Sequence, residues 1–422
     1  MTTLTDPPKG AFRLSMLIYD SRYRSMTIQI VALIGFLTLI GWLISNTAQN
    51  LADLGRGFSF GFLTEPAGYD INQRLVEYEN QDSHLRAAFL GVLNTLLVAF
   101  LGCITATVVG IFVGVLRLSP NWIVAKLMTV YVETFRNVPV LLWIVFAMAI
   151  LIETLPSPRD FRGEDPAASM SLGDSVALTN RGFYLPEPLF SRTAGEIHLF
   201  GAHPLRFDVS LDLIVILATL IAGILTARLI SRRADRIQAA TGVRPKTLWP
   251  EIGVIVVPVA IVLAILGFHL GYPQLKGFNF EGGTYLRNSL IALWLALSLY
   301  TAAFIAEIVR AGILAISRGQ TEAAAALGLR PRRIMSLVIL PQALRVIIPP
   351  LISQYLNLTK NSSLAIAVGY MDITGTLMGI TLNQTGRELE TILVGMAIYL
   401  TISLTISFLM NLYNNSVKLK ER

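Results

Sequence analysis

The stretch Glu322-Ala323-Ala324-Ala325-Ala326-Leu327-Gly328, followed twelve residues later by Leu340-Pro341, decides the fold of this chain. Its first six residues are strong helix formers, and its glycine is suited to end a helix in a left-handed conformation. Arg330-Pro331 is predicted to begin a second helix, because proline is tolerated in a first helical turn. Pro341 is predicted to break the run before the next apolar segment. The pattern indicates short surface helices between two long apolar segments.

The composition is that of an integral membrane protein. The chain has 422 residues, of which 54% are hydrophobic and 14% are charged, whereas about a quarter of the residues in soluble domains are charged. The apolar residues fall in continuous runs, and roughly 20 helical residues cross a bilayer. Lipid admits only helices and closed barrels, and continuous runs favour helices. The predicted fold is therefore all-α, polytopic and transmembrane.

Eight membrane spans are predicted from these runs. The first span follows a basic N-terminus. It is too long for a cleaved signal peptide and lacks a small-residue cleavage site, so it is interpreted as a retained signal anchor. The predicted spans are about 27–46, 87–116, 138–154, 211–229, 251–270, 288–309, 346–369 and 390–411.

Basic residues predict the orientation of these spans. With eight spans, the basic clusters all fall on one side of the membrane, and Lys and Arg mark the cytoplasmic side. Both termini are therefore predicted to be cytoplasmic. The net charge is +7. The basic residues lie beside membrane segments and form no separate soluble patch, which argues against a nucleic-acid partner. The clusters include Arg22 and Arg24, Arg117 and Lys126, Arg232, Arg233 and Arg236, Arg330, Arg332 and Arg333, and Lys418 and Lys420.

The residues give no sign of catalytic or metal chemistry. Cys103 is the single cysteine, so an internal disulfide is excluded, and the four histidines have no metal-ligand spacing. The chain contains no Gly-x-x-x-x-Gly-Lys-Ser/Thr phosphate loop. We expect a protein that is not an enzyme and binds no metal or cofactor of its own.

The opening stretch resembles the EAA loop of bacterial ABC importer permeases. That loop reads EAA, three residues, Gly, nine residues, Ile-x-Leu-Pro, and Val338 occupies the Ile position here. An alanine-rich helix alone would be an ordinary amphipathic loop, but the combined spacing favours the resemblance. The resemblance implies that residues 318–341, the coupling loop, dock into a groove of a separate ATPase. The implied docking residues are Glu322, Ala323, Ala324, Gly328, Leu340 and Pro341.

The resemblance extends along the chain, to the branch that imports polar amino acids, the histidine/glutamine-type family. It implies the type I ABC importer permease core, formed by five of the eight spans. The long permeases of general L-amino-acid and glutamate/glutamine/aspartate/asparagine importers have the same overall architecture. Matching segments are Gly91 to Leu96, Glu133 to Pro139, Ala302 to Arg310, Leu340 to Arg345 and Lys360 to Leu364.

The same resemblance divides the chain into a permease core and two additional parts. The additions are a first span and an insertion that carries two further spans. The predicted divisions are 1–86, with a cytoplasmic tail, the first span and a periplasmic loop; 87–154, the first core part; 155–285, the insertion; 286–415, the second core part; and 416–422, a cytoplasmic tail.

The resemblance also implies a function and partners. The chain would be a permease subunit of the bacterial inner membrane that moves polar L-amino acids into the cytoplasm. ATP would be bound by a partner ATPase dimer. A second permease subunit, expected to be a different homologous chain, and a periplasmic amino-acid-binding protein would complete the importer.

A polar run interrupts the seventh span at Lys360-Asn361-Ser362-Ser363. A charge deep in a span usually faces a cavity or a partner, and a broken helix exposes backbone groups to a ligand. The run therefore indicates a lining of the substrate pathway. If the span begins earlier, Lys360 instead snorkels to the outer surface. Depth alone does not decide between these interpretations.

Two pairs of charges lie three residues apart, where they share a helix face. They are Glu133 with Arg136 and Glu307 with Arg310. Both pairs lie near predicted cytoplasmic helix ends, where a structural ion pair is favoured over a direct role in transport.

Two rival functions remain. An ion-coupled secondary transporter would need intramembrane Asp, Glu or His, and the predicted spans contain few away from their ends. A membrane-anchored binding or sensory protein would carry a recognisable soluble domain, and no loop is long enough to be a convincing one.

Overall fold

The computed structural model describes residues 16–53, 55, 57–163, 165–199 and 204–417. The predicted cytoplasmic placement of both termini concerns residues outside these ranges. The chain forms two compact units, Met1–Gly61 and Phe62–Arg422. In the first unit, the 33-residue helix α2 carries exposed apolar side chains such as Leu33 and Trp42 along its length. A helix that is apolar on all sides suits a lipid environment.

The described chain is mostly helical. The α-helical segments are α1 (Met16–Tyr19), α2 (Ser21–Asp53), α3 (His84–Leu116), α4 (Trp122–Asn137), α5 (Val140–Thr154), the left-handed turn α6 (Ser171–Asp174), α7 (Leu211–Thr241), α8 (Leu248–Ile265), α9 (Asn288–Leu314), α10 (Arg318–Ala326), α11 (Pro331–Ile334), α12 (Leu340–Asn361), α13 (Leu382–Thr385) and α14 (Glu388–Val417). Short 3₁₀ or π segments cover Gly61–Thr64, Pro158–Phe161, Met335–Ile339, Ser362–Val368 and Thr374–Thr381.

The eight predicted spans are confirmed. Eight helices in the described ranges are long and apolar enough to cross a membrane. Helix α7 continues well past the predicted end of its span, because Arg, Ala and Gln are good helix formers, and it stops where Gly242 takes a φ of +75°. Helix α4 was not predicted as an element of its own. It leads into α5 through Val138 and Pro139.

The core of the second unit is built around α3 and α9, which pack with very little space between them. An added Cβ at Gly110 would lie 2.7 Å from the Ile305 side chain and 3.0 Å from the Ala302 carbonyl oxygen. At Gly114 it would lie 2.7 Å from the Ala306 carbonyl oxygen. Small residues let helix backbones approach closely in membranes, where dispersion contacts replace the hydrophobic effect.

Beside the predicted helical fold, the described residues also form nine short strands. They are β1 (Ala177–Thr179), β2 (Gly182–Leu185), β3 (Glu187–Phe190), β4 (Glu196–Leu199), β5 (Phe207–Ser210), β6 (Phe268–Gly271), β7 (Gln274–Lys276), β8 (Asn279–Glu281) and β9 (Thr284–Arg287). All strand pairs are antiparallel: β1–β2–β9, β3–β6, β4–β5 and β7–β8. Strands this short carry too little alternation to be recognised in a sequence.

These strands and residues 62–83 lie at one end of the helices. Together they form the cap, which comprises the described parts of 62–83, 155–210 and 268–287. Strands from both ends of the insertion meet in the cap, since Tyr184 in β2 pairs with Tyr285 in β9. Their rings stack at 4.6 Å between centroids, and the Phe280 ring lies 5.3 Å from Tyr184. The predicted order in the 155–210 loop is thus provided by strand pairing across more than a hundred residues of sequence.

One buried guanidinium ties the cap to α3. Arg86, in the first turn of α3, is 2% exposed. Its Nη2 donates to the Glu77 carbonyl oxygen at 2.6 Å, and its Nη1 donates to the carbonyl oxygens of Pro204 and Arg206. Hydrogen bonds to a charged donor are stronger than neutral ones. The N-terminus of α3 is therefore fixed to two separate cap segments.

The β4–β5 hairpin is held by its own charges. Asp208 accepts hydrogen bonds from Arg206 Nε at 2.9 Å and from the His198 ring. The bond from Arg206, followed by the bond from His198, holds the pKa of the Asp208 carboxyl below its usual range. The carboxylate is therefore ionised at neutral pH, where both interactions support the hairpin.

We predict that Gly110→Ala destabilises the second unit by about 1–3 kcal/mol, because backbone as well as side-chain atoms would have to move. The measurement is the midpoint of thermal unfolding of the purified complex in detergent. Gly253→Ala in α8 is the matched control, since nothing lies within 4 Å of its added Cβ. Equal midpoints for the two variants would show that the α3–α9 contact is looser than described.

Candidate functional site: coupling loop and helix break

The coupling loop contains a helix ended by glycine. Helix α10 stops after Ala326, and Gly328 takes a φ of +77°. The Gly328 N–H donates to the Ala325 carbonyl oxygen at 2.9 Å, and the Leu329 N–H donates to that of Ala324 at 3.3 Å. This pair of bonds is a Schellman motif. The predicted glycine stop is present, and Pro331 begins α11 as predicted.

The loop presents one apolar side chain at its tip. Leu327 is 82% exposed, and Glu322 is exposed on the same short helix. Ala324 and Ile334 are buried and fix α10 and α11 against the rest of the loop. A rigid helix pair with an exposed leucine and a carboxylate is suited to contact another protein, because fixed side chains lose little freedom on binding.

Pro341 does not break the chain, contrary to the prediction. The helical run continues from Pro331 to Val368. A π turn over Met335–Ile339 precedes the proline, with the Leu340 N–H bonded to the Met335 carbonyl oxygen. The wider turn accommodates a residue that lacks an N–H donor. The coupling loop is therefore directly continuous with α12.

An ion-pair cluster joins the ends of α3 and α9 near this loop. Arg310 Nη2 donates to Glu307 Oε1 at 2.6 Å, which is the geometry predicted for this pair. Arg117 at the end of α3 binds the other carboxylate oxygen of Glu307. Sequence reasoning missed Arg117 as a partner because 190 residues separate it from Glu307. The cluster links two core helices and not one helix face alone.

The predicted Glu133–Arg136 ion pair is wrong for this structure. Arg136 lies over the Phe304 ring, 5.4 Å from its centroid. Glu133 instead accepts a hydrogen bond from Asn137 at 3.5 Å. Arg136 is exposed, and a guanidinium over an aromatic face at an exposed site gains about 0.5–1 kcal/mol. The guanidinium therefore connects α4 to α9, where sequence spacing had suggested a contact within α4.

The helix break, Lys360-Asn361-Ser362-Ser363, lies where α12 ends. The α-helix stops at Asn361 and a 3₁₀ segment follows to Val368. Lys360 is exposed on the surface of this chain, whereas Ser362 is buried and donates to the Thr359 carbonyl oxygen at 2.7 Å. Of the four predicted residues, Lys360 therefore lies at the surface and Ser362 lies in the interior.

Sequence reasoning missed Asp372, which is fully buried near this break. Its carboxylate accepts the Gly375 N–H at 2.8 Å and the Tyr399 hydroxyl at 2.9 Å. The available signal was an acid next to Gly369 and Tyr370 after a broken span. Elsewhere in the described ranges, no three His, Cys, Asp or Glu side chains are arranged to hold a metal ion.

Known proteins match this chain along nearly its whole length. Residues 249–419 match the family described as binding-protein-dependent transport system inner membrane component. The chain is 60% identical over 430 residues to the glutamate/glutamine/aspartate/asparagine transport system permease protein of Rhodobacter capsulatus, with all of both chains covered. It is 42% identical over 414 residues to the general L-amino acid transport system permease protein of Rhizobium johnstonii, covering 98% of this chain and 96% of that protein.

Identity of this degree over full length places proteins in one family. The membrane spans, the EAA spacing and the glycine-terminated helix of the coupling loop agree with that placement. The chain belongs to the permease components of binding-protein-dependent amino-acid transport systems.

Proposed function

We propose that this chain is the membrane permease subunit of an ABC importer that carries polar L-amino acids into the cytoplasm. The coupling loop carries the proposal, because it offers an exposed helix end that a single short turn joins to the helical run from Pro331 into the core. ATP is bound and hydrolysed by a partner ATPase dimer that receives Glu322 and Leu327. The chain itself holds no cofactor.

The proposed location is the bacterial inner membrane, with the coupling loop and both termini in the cytoplasm. Basic residues support this orientation, since those of the loops at 242–247 and 315–330 lie at the helix ends opposite the cap. Lys and Arg mark cytoplasmic loops. The cap then faces the periplasm, where a soluble amino-acid-binding protein delivers substrate to it.

The exposed position of Lys360 supports a second permease subunit. A lysine beside a broken helix is costly to present to lipid. It is satisfied when two permease subunits face each other across a shared polar pathway, and the second subunit is proposed to be a different but homologous chain. In this arrangement the ammonium meets the substrate carboxylate, while Ser362 maintains the break from inside.

The mechanism follows from the continuity of α11 with α12. Closure of the ATPase dimer pulls on the coupling loop, and the helical run from Pro331 carries this movement to the helix break. The Arg117–Glu307–Arg310 cluster makes α3 follow α9. The spans then alternate between outward- and inward-facing states, a two-state element that both ATP and substrate bias.

The substrates are proposed from the relatives' names. One relative is named for glutamate, glutamine, aspartate and asparagine, and the other for general L-amino acids. All four named side chains share a polar carboxylate or amide, and the 60% identical relative makes this set the first to test.

The purified importer in liposomes tests the function. We expect ATP-dependent accumulation of labelled glutamine that needs the amino-acid-binding protein and persists when ionophores collapse ion gradients. Accumulation driven by an ion gradient without ATP would overturn the proposal in favour of an ion-coupled transporter, the alternative that the family relationship does not support.

Gly328→Trp is expected to lower the amount of ATPase that co-purifies with this chain. A side chain at a φ of +77° costs about 1–2 kcal/mol and the indole obstructs the exposed helix end. The measurement is co-purification of the ATPase from solubilised membranes, with roughly tenfold less recovered. Gly242→Trp is the matched control, because that glycine also ends a helix with positive φ and has nothing within 4 Å. If Gly328→Trp recovers as much ATPase as the control, docking lies elsewhere.

Lys360→Met is expected to lower uptake of glutamate and aspartate by about tenfold, the order expected for one charged hydrogen bond. Basal ATP hydrolysis should remain unchanged. Uptake kinetics in liposomes measure the effect, and Lys126→Met, at another exposed lysine, is the control. Unchanged uptake would show that Lys360 snorkels to the surface and does not contact substrate.

A further inference from the structure

A buried set of polar contacts connects the cap to the helix break. It begins at Arg287, the last residue of β9, whose N–H donates to Gln73 Oε1 at 3.3 Å. The carbonyl oxygen of Gln73 accepts a hydrogen bond from Asn94 Nδ2 at 2.8 Å. One cap residue therefore contacts both the end of the cap sheet and the core helix α3.

Asn94 continues the connection into the core. Its Nδ2 also donates to the Met371 carbonyl oxygen at 2.8 Å, so both amide hydrogens are used. The Tyr370 hydroxyl donates to the main-chain carbonyl oxygen of Asn94 at 3.2 Å. Asn94 is fully buried, and losing either partner would leave a polar group without water to replace it.

The next member of this set of contacts is Asp372, which follows Met371 in the sequence. It is fully buried, and none of the described Lys or Arg side chains forms an ion pair with it. Its two carboxylate oxygens are satisfied by the Gly375 N–H and the Tyr399 hydroxyl. A buried acid without a cation depends on such donors, because an unpaired one is strongly destabilising.

Tyr399 on α14 is the last member of this set of contacts. Its hydroxyl lies 3.3 Å from Thr374 Oγ1. The network reaches the helix break through Tyr370, whose N–H donates to the Ala365 carbonyl oxygen at 3.1 Å in the 3₁₀ segment that begins at Ser362. Ser362 is the buried member of the break. The space around these groups is tight, since a Cβ at Gly91 would lie 2.4 Å from Thr376 Oγ1 and 2.9 Å from the Asp372 carbonyl oxygen.

We propose that these contacts, from Gln73 through Asn94 and Asp372 to Tyr399, act as a polar relay that transmits receptor docking on the cap to the helix break. Asn94 and Tyr399 are positioning residues, since they act on transport through residues 370–372 and the 3₁₀ segment that precedes them. The relay rests on the proposed function, in which the break lines the pathway and a soluble amino-acid-binding protein docks on the cap.

The relay behaves as a unit because its members share donors. Movement of Gln73 pulls on the single nitrogen that also holds Met371. Displacement of residues 371–372 strains the bond that Tyr399 makes to Asp372. Close polar groups of one network show coupled effects when two are removed together, whereas independent contacts add. Coupling between the two ends is therefore the property to measure.

The experiment is a double-mutant cycle on the full importer in liposomes, using the amino-acid-binding protein saturated with glutamine as the probe. The readout is the ratio of receptor-stimulated to basal ATP hydrolysis. Asn94→Ala and Tyr399→Phe should each lower this ratio about tenfold with basal hydrolysis unchanged. The double variant should also fall about tenfold and not a hundredfold.

Tyr300→Phe is the matched control, since its hydroxyl makes no hydrogen bond with the described residues. If Asn94→Ala is not recovered from membranes, Gln73→Ala replaces it, because Gln73 is only partly buried. A hundredfold loss in the double variant, or a Tyr399→Phe ratio equal to that of Tyr300→Phe, overturns the relay. A wild-type importer without any receptor stimulation instead overturns the proposed function.

Discussion

The close approach of α3 and α9 is the contact on which the other elements depend. Glycine at 110 and 114 removes the side chains that would hold the two backbones apart. Because both helices begin at the cap and end near the coupling loop, their contact aligns the two functional ends of the molecule. The Arg117–Glu307 bond closes the same contact at its far end. Packing of small residues replaces the hydrophobic effect, which gives no drive for association in lipid.

The spans and the coupling loop could be predicted because both depend on local sequence. Apolar runs report membrane helices directly, and Gly328 and Pro331 act within one turn of their own positions. Pro341 failed as a breaker because the π turn before it depends on how the longer helix is packed. Breaker residues act through missing donors, and a neighbouring turn can absorb that loss.

The parts that could not be predicted join residues far apart in sequence. Three contacts show this. Tyr184 of β2 pairs with Tyr285 of β9, Arg117 binds Glu307, and Arg86 donates to the Arg206 carbonyl oxygen, each across more than a hundred residues. The bond from Arg86 to Glu77 is local by comparison. Asp372 could not be predicted for the same reason, because its carboxylate is bound by Tyr399 from another helix. Arg136 is a further case, since an aromatic ring on α9 competes successfully with a carboxylate on its own helix.

The insertion between the core parts also has a consequence for synthesis. About 170 residues separate the end of α3 from the start of α9, which corresponds to roughly ten to thirty seconds of translation. During that interval the glycine face of α3 has no partner, and β2 has no β9. The first core helices must therefore remain in the membrane as an unassembled half until the second half emerges. A chaperone or insertase that shields small-residue helix faces would matter more for this chain than for a permease without the insertion.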